Sequence, residues 1–404
     1  MRGCTDGWQV TTLPRPGVSV RVLLSTTSGA GHFRPLLPLA RALKRAGHEL
    51  ACAAPAEARP MVEREGLRLL PFEGVPADHP DRVAVMRRVP ALPPDEARFQ
   101  FCSVIFGRLN TSYALPGADS AMESFRPDLV AHEAAELGVR LAAEVAGVPV
   151  VAVSPSLTSP AFLTSVAAGI SHLREGLGLD RDEGGESLLR GATVSAFPAS
   201  FDFPHAASFD VHRFRDPDVR AAASTERDLV YVTLGSEAHS LPFFAAMLRE
   251  AVAGGLAAGL PVVVSTGVDV EPGVLAGLDG DLRVERWVDQ AEVLSRARVI
   301  VCHGGSGSTL GALAAGVPLV VVPLFADQPD NAERVEATAT GHRVNPGPEL
   351  AARVGTAVQD LAARPPAGSA RIAHDVAALP TADDAVPWLQ SLVTEGGAGP
   401  PPAF

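Results

Sequence analysis

The stretch VIVCHGGSGSTLGALAAGVPLVVVPLFADQPDN, residues 299–331, decides how this chain is read. It opens on a β-branched run, Val299 to Cys302, and passes into His303-Gly304-Gly305-Ser306-Gly307-Ser308-Thr309. The helix-forming Leu310 to Ala315 follows at once. A second apolar run, Val317 to Leu324, then ends on Asp327-Gln328, with Asn331 opening another helix. Strand, glycine turn, helix and strand make the βαβ unit of a parallel sheet. In such a sheet ligands gather at the C-terminal strand ends, where a helix N-terminus offers unpaired amides and partial positive charge to an anion. A diphosphate fits there. Glycines let its oxygens approach the backbone, Ser308 and Thr309 add hydroxyl donors, and His303 adds an imidazole N–H. An ordinary glycine-rich turn would use the glycines as well, but a histidine and three hydroxyls at one turn are harder to explain by turn geometry. No Lys follows the second glycine, which excludes a Walker A loop.

Outward from this centre, Asp327 and Gln328 lie at a strand end where a carboxylate and an amide can bind several sugar hydroxyls, although an Asp there also serves as a helix cap. Upstream, Trp287-Val288 follow the strand expected at Leu282 to Glu285, where a flat ring can pack on a nucleotide base or be a core Trp. The turn Leu234-Gly235-Ser236 closes the strand Leu229 to Leu234 and adds Ser236, or simply a turn, to the same edge. The remaining strands of this half are expected at Pro261 to Ser265 and Pro318 to Val322.

The same rhythm occupies the other half. Val18 to Leu24 reads as a strand, Ser25 to Gly31 as a loop, and Leu36, Leu39 and Leu43 as one helix face. Strands at His48 to Ala54, Leu67 to Phe72, Asp128 to Ala131 and Val148 to Val153 complete an α/β series covered on both faces. Between Glu73 and about Gly117 the rhythm weakens, and Phe99, Phe101 and Phe106 are scattered through helices and loops expected near an acceptor. It is lost again between Ser154 and Ser200. With 404 residues, two domains are the natural expectation. The first spans 18–211, a linker 212–227, and the second 228–380. A last helix, Asp384 to Val393, is expected to pack back on the first domain, with tails at 1–17 and 395–404.

His32 ends the loop Gly29-Ala30-Gly31 at the sheet edge that should face the second half. An imidazole titrates near neutrality and can take a proton from an alcohol, and a histidine here can also cap the helix or flank a phosphate. Glu133 reaches the same edge from the strand after Asp128. A carboxylate on one ring nitrogen fixes the tautomer of the other, and a solvated loop carboxylate is the alternative.

Composition narrows the function. A net charge of −12 argues against a nucleic-acid partner. The four cysteines are isolated, without disulfide or zinc spacing, which fits a reducing cytoplasm. No apolar run approaches the roughly 20 residues of a membrane span. Asp180-Arg181-Asp182, Asp216-Pro217-Asp218 and Asp279-Gly280-Asp281 have carboxylate spacing, but in loops away from the donor turn, so no metal site is expected.

Together Gly31-His32 with Pro35, Arg126-Pro127-Asp128-Leu129-Val130, Leu234-Gly235-Ser236, Trp287-Val288 with Gln290, His303-Gly304-Gly305 through Gly316-Val317-Pro318, and Asp327-Gln328 resemble the family 1 glycosyltransferases, especially bacterial enzymes that decorate antibiotics and other natural products. The resemblance spans nearly the whole chain. It implies the GT-B fold, two Rossmann-like domains with parallel sheets facing across a cleft. It implies an inverting, metal-independent transfer from a dTDP- or UDP-sugar to a hydroxyl of a small hydrophobic aglycone, with no cofactor beyond that co-substrate. His32 is then the general base and Glu133 its orienting carboxylate. His303, Ser308 and Thr309 hold the diphosphate, and Asp327 with Gln328 the sugar. The family commonly has Asp where this chain has Glu133, a longer side chain. A catalytically silent binding homologue and a nucleotide-sugar epimerase are the alternatives, and a homodimer is compatible with the sequence. The Phe-containing region at 73–117 argues for an acceptor pocket and against the epimerase.

Overall fold

Each β-branched run is flanked by helices with one apolar stripe, and the chain buries both by returning every strand parallel to the last. The computed structural model describes residues 19–189, 191–220, 226–235, 243–267, 270 and 272–395. The first sheet has seven strands, β1 (Arg21–Ser25), β2 (Glu49–Pro55), β3 (Arg68–Phe72), β4 (Leu129–Glu133), β5 (Val150–Ser154), β6 (Thr193–Ser195) and β7 (Val211–Arg213), in the order β3-β2-β1-β4-β5-β6-β7. The second has six, β8 (Leu229–Thr233), β9 (Val262–Ser265), β10 (Leu282–Glu285), β11 (Ala297–Cys302), β12 (Leu319–Val321) and β13 (Gly341–Arg343), ordered β10-β9-β8-β11-β12-β13. All pairings are parallel. Both sheets are doubly wound, with the order reversing between β1 and β4 and between β8 and β11, where the adjacent loops diverge and leave a crevice. The two Rossmann-like domains expected for a GT-B fold are present.

The structure adds elements the sequence pattern does not announce. Strands β6, β7 and β13 have three residues each, too short for any period, and β7 takes in His212 and Arg213 at the sheet edge. The region 73–117 is mostly helical, comprising Pro80–Arg88, Pro94–Phe101, a π-helical stretch Cys102–Asn110 and the start of Thr111–Phe125. A helix also fills Pro160–Gly176, inside the stretch without rhythm. It lacks a clean apolar stripe because it is packed on several sides. A Cβ on Gly169 would lie 2.9 Å from the Gly107 Cα, so two glycines let this helix cross the π-helical stretch at backbone contact.

The last helix, Val386–Glu395, lies on the first sheet's core. Val386 and Leu389 join the cluster of Leu24, Leu39 and Leu43, and Trp388 stacks on His212 with ring centroids 3.7 Å apart. In the other direction, Leu157, Phe197 and Phe201 are buried with Tyr231 and Leu310 of the second half. Among the described residues, no helix is long and apolar enough to cross a membrane.

Candidate active site

β1 runs into a turn in which Gly29 adopts φ 106°, a conformation that favours glycine, and its carbonyl accepts from the amides of His32 and Phe33. Phe33 is buried and anchors the turn, leaving His32 on the rim with 30% of its side chain exposed. β4 neighbours β1, so its last residue, Glu133, arrives beside the same turn. Alternation along β4 puts Leu129, Ala131 and Glu133 on the face that holds Leu24 and Phe33. His32 Nδ1 lies 3.1 Å from Glu133 Oε2. Glu133 Oε1 accepts from the Ala135 amide at 2.9 Å, and Thr27 Oγ1 donates to Oε2 at 3.5 Å. Nε2 is the ring nitrogen on the side away from the carboxylate.

The opposite face of β4 holds a second buried polar group that sequence reasoning missed. Glu136 accepts from Ser25 Oγ at 2.6 Å and from the amides of Gly138 and Val139 at 2.8 and 3.1 Å. Burial pushes its carboxyl up to about 7. His132 donates Nδ1–H to the carbonyls of Glu133 and Glu136, each at 3.0 Å, and burial lowers its pKa to about 3. It is therefore a neutral structural brace, not a base. The signal for Glu136 was its place two residues before the helix that opens on Gly138, where carboxylates accept helix N-terminal amides.

An aromatic wall stands beside His32. Phe106 meets the imidazole edge-on at 5.7 Å, and Phe101 and Phe162 meet Phe106 at 5.4 and 6.3 Å. Phe101 and Phe106 come from the region expected near the acceptor. Phe162 comes from the helix that showed no pattern.

In the second half β11 ends at Cys302 and the chain turns through Gly304 at φ 86° into the helix Ser306–Ala315. The ring of His303 is held between two glycines. A Cβ on Gly235 would come 2.5 Å from its Nε2, and one on Gly305 would collide with the same atom. Burial lowers the His303 pKa to about 4, so the ring is neutral at neutral pH and offers an N–H dipole, not a charge. Gly307 is exposed at the first helical turn and Thr309 is buried within it. Ser308 Oγ lies 3.4 Å from Gln290 Oε1, whose Nε2 donates to the Gly307 carbonyl at 3.2 Å.

Ser306 turns the other way, donating to Asp327 Oδ2 at 2.5 Å, and Asn331 Nδ2 joins it there at 3.1 Å and reaches the Gly304 carbonyl at 2.8 Å. One network therefore ties the His303–Thr309 turn to the Asp327 segment. Burial raises the Asp327 carboxyl above the usual carboxylate range. Gln328 is buried, and its Oε1 accepts from the Leu324 and Phe325 amides at 2.7 and 3.0 Å, leaving its amide NH2 as the group for a ligand. Trp287 is 68% exposed and Val288 is half-buried, so the Trp is not a core residue. Ser236 lies outside the described residues. Among those residues no group of three or more His, Cys, Asp or Glu could hold a metal ion.

Comparison with known proteins shows the kinship of the chain. The family model described as UDP-glucoronosyl and UDP-glucosyl transferase matches residues 214–398. The L-demethylnoviosyl transferase of Streptomyces niveus is 32% identical over 382 residues, covering 90% of this chain and 95% of that protein. The crystal structure of the calicheamicin glycosyltransferase superposes with a TM-score of 0.74 at 23% identity, over 95% of this chain and 100% of the other. Glycosyltransferase VinC, solved in complex with DTDP, gives a TM-score of 0.71 at 21% identity, over 93% and 100%. At that identity the two structures share the fold, while the Streptomyces niveus relative carries the kinship further. This chain belongs to the UDP-glucoronosyl and UDP-glucosyl transferase family.

Proposed function

We propose that this glycosyltransferase moves a sugar from a dTDP- or UDP-linked donor to a hydroxyl of a small hydrophobic natural-product acceptor, inverting the anomeric centre and needing no metal. The observation that carries the reading is the His32–Glu133 pair set against the aromatic wall of Phe106, Phe101 and Phe162. A proton acceptor beside an apolar aromatic surface suits an acceptor alcohol. His32 Nε2 takes the hydroxyl proton while the oxygen attacks the anomeric carbon. The bond from that carbon to the diphosphate breaks on the opposite face, and its electron pair leaves with the nucleoside diphosphate. Glu133 steadies the imidazolium that forms.

The half-chain 228–380 holds the donor. Amides at the start of Ser306–Ala315, the hydroxyls of Ser308 and Thr309 and the neutral His303 receive the diphosphate. Trp287 and Val288 cover the base, Ser236 adds a hydroxyl, and Asp327 with Gln328 take the sugar. The half-chain 18–211 holds the acceptor, and the enzyme works in the cytoplasm. The test is a mass-spectrometric screen of dTDP- and UDP-sugars against a natural-product panel, run in EDTA. A sugar added to at least one acceptor, with turnover kept in the chelator, is expected. No addition anywhere, with tight nucleotide binding retained, would make the chain a silent binding homologue, and turnover restored by magnesium would remove the metal-free mechanism.

A further inference from the structure

The helix Gln328–Ala337 presents one face to the first half of the chain. Asp327, Asp330 and Arg334 recur at intervals of three and four residues, the spacing of a single helical face. Each meets a partner from the first half. Asp327 faces the Ser156 side chain, just beyond β5, which favours its charged form against the effect of burial. Asp330 Oδ1 accepts from Arg98 Nη1 at 2.6 Å, and Arg334 Nε donates to the Phe201 carbonyl at 2.9 Å while its guanidinium lies 5.6 Å over the Phe203 ring.

The two ends of this face differ in kind. At the Arg334 end, Phe201 is buried with apolar residues of the second half, a contact that cannot part without exposing core. At the Asp327 end the contacts with Ser156 and Arg98 are polar and can part without that cost. The Arg98–Asp330 pair is nonetheless sheltered, with 24% and 14% of the side chains exposed, so it is not one of the screened surface pairs that contribute little. Arg98 is also aimed by its own helix, donating to Asp95 Oδ1 at 2.9 Å. That helix, Pro94–Phe101, carries Phe101 of the aromatic wall beside His32.

We propose that Arg98 is a positioning residue that latches the acceptor-side helix Pro94–Phe101 onto Asp330, and so holds the Asp327–Gln328 segment in register with the His32 site when the two halves are closed. The inference rests on the sugar-transfer reading above. It makes acceptor and sugar binding interdependent, because the Arg98–Asp330 pair joins the helix that carries Phe101 to the helix that follows Asp327. The reach is short: one helical turn separates Asp330 from Asp327.

The experiment compares Arg98→Ala, Asp330→Ala, Arg98→Lys and the charge-swapped Arg98→Asp/Asp330→Arg in the full chain. Each Ala variant should lose roughly tenfold in kcat/KM for the nucleotide sugar, a modest case of the penalty for misplaced reacting groups. Free dTDP or UDP affinity should stay within about a factor of two, because the diphosphate turn is untouched. Amide hydrogen exchange across residues 328–337 should quicken in both Ala variants and return towards the native rate in the swapped pair, with Arg98→Lys between. Asp330→Asn, which keeps the side-chain volume, replaces Asp330→Ala if that variant melts early. Unchanged kcat/KM and exchange in the Ala variants would overturn the latch, as would a swapped pair that melts like the native protein yet recovers nothing. A native protein that transfers no sugar would instead refute the sugar-transfer reading, and exchange alone would then decide whether the latch exists.

Discussion

His32 Nδ1 sits 3.1 Å from Glu133 Oε2, and that carboxylate has no exposed side-chain surface. The longer Glu reaches the imidazole because it stands at the very end of β4, next to β1 in the sheet, with its second oxygen fixed by the Ala135 amide. Removing a base should separate chemistry from binding. His32→Ala is expected to cut turnover by roughly 100-fold or more while leaving donor affinity within a small factor. Steady-state rates set beside calorimetry check this, and near-normal turnover with an alcohol acceptor would mean that another group takes the proton.

Glu133→Gln keeps the shape and removes the charge. Turnover should fall less than for His32→Ala, and the acidic limb of the rate profile should move to lower pH, since the carboxylate favours the charged imidazolium. A limb that stays in place would remove Glu133 from the mechanism and leave His32 acting alone.

What was legible follows from how local each signal is. His32 and His303 stand at glycine turns directly after apolar runs, so strand, turn and residue were visible together. The pairing of His32 with Glu133 needed topology, because about a hundred residues separate β1 from β4 and only the sheet order makes them neighbours. Phe162 was hidden because its helix is packed on several sides and shows no single stripe. Glu136 was hidden because a carboxyl gives no sign of burial in sequence; its place is set by Ser25 and the Gly138 amide. For Trp287 the sequence allowed a core or a site residue, and its exposure decides against the core.

Gly235 shows how tightly the His303 turn is built. It adopts φ 78°, and a Cβ there would lie 2.5 Å from His303 Nε2. Gly235→Ala should therefore displace the imidazole and weaken dTDP or UDP binding by roughly tenfold, the worth of one hydrogen bond of about 1 kcal/mol or a little more. Calorimetry on a variant that still melts cooperatively is the measurement. Unchanged affinity would place His303 outside the diphosphate site.

Glu136 predicts a pH dependence of stability. Burial pushes its carboxyl from an ordinary 4.5 to about 7, so the folded chain keeps a proton that the unfolded chain has already lost. Stability from this group is therefore intact below about 4.5 and falls as pH rises towards about 7, by up to roughly 3 kcal/mol. Glu136→Gln retains an oxygen for the Gly138 and Val139 amides and should remove that slope. Urea titrations at several pH values between 4 and 8 check it, and identical slopes in the two proteins would show that Glu136 is ionised throughout.

The proposed sugar site yields the sharpest separation of roles, because Asp327 and Gln328 are adjacent yet differently occupied. Asp327 Oδ2 is already held by Ser306 and Asn331, which fixes its carboxyl beside the His303–Thr309 turn. Asp327→Ala should thus weaken binding of the nucleotide sugar by roughly tenfold, the loss of one sugar hydrogen bond, and leave free nucleoside diphosphate nearly unaffected. Gln328 uses its oxygen to brace the Leu324 and Phe325 amides, so alanine there removes both a brace and a donor. Gln328→Glu keeps an oxygen for the amides and exchanges the NH2 donor for a second carboxyl oxygen. If that NH2 donates to a sugar hydroxyl, the Glu variant should bind nucleotide sugar as weakly as the Ala variant. Native affinity in the Glu variant, with weak binding in the Ala variant, would reduce Gln328 to a loop brace and leave Asp327 to hold the sugar without it.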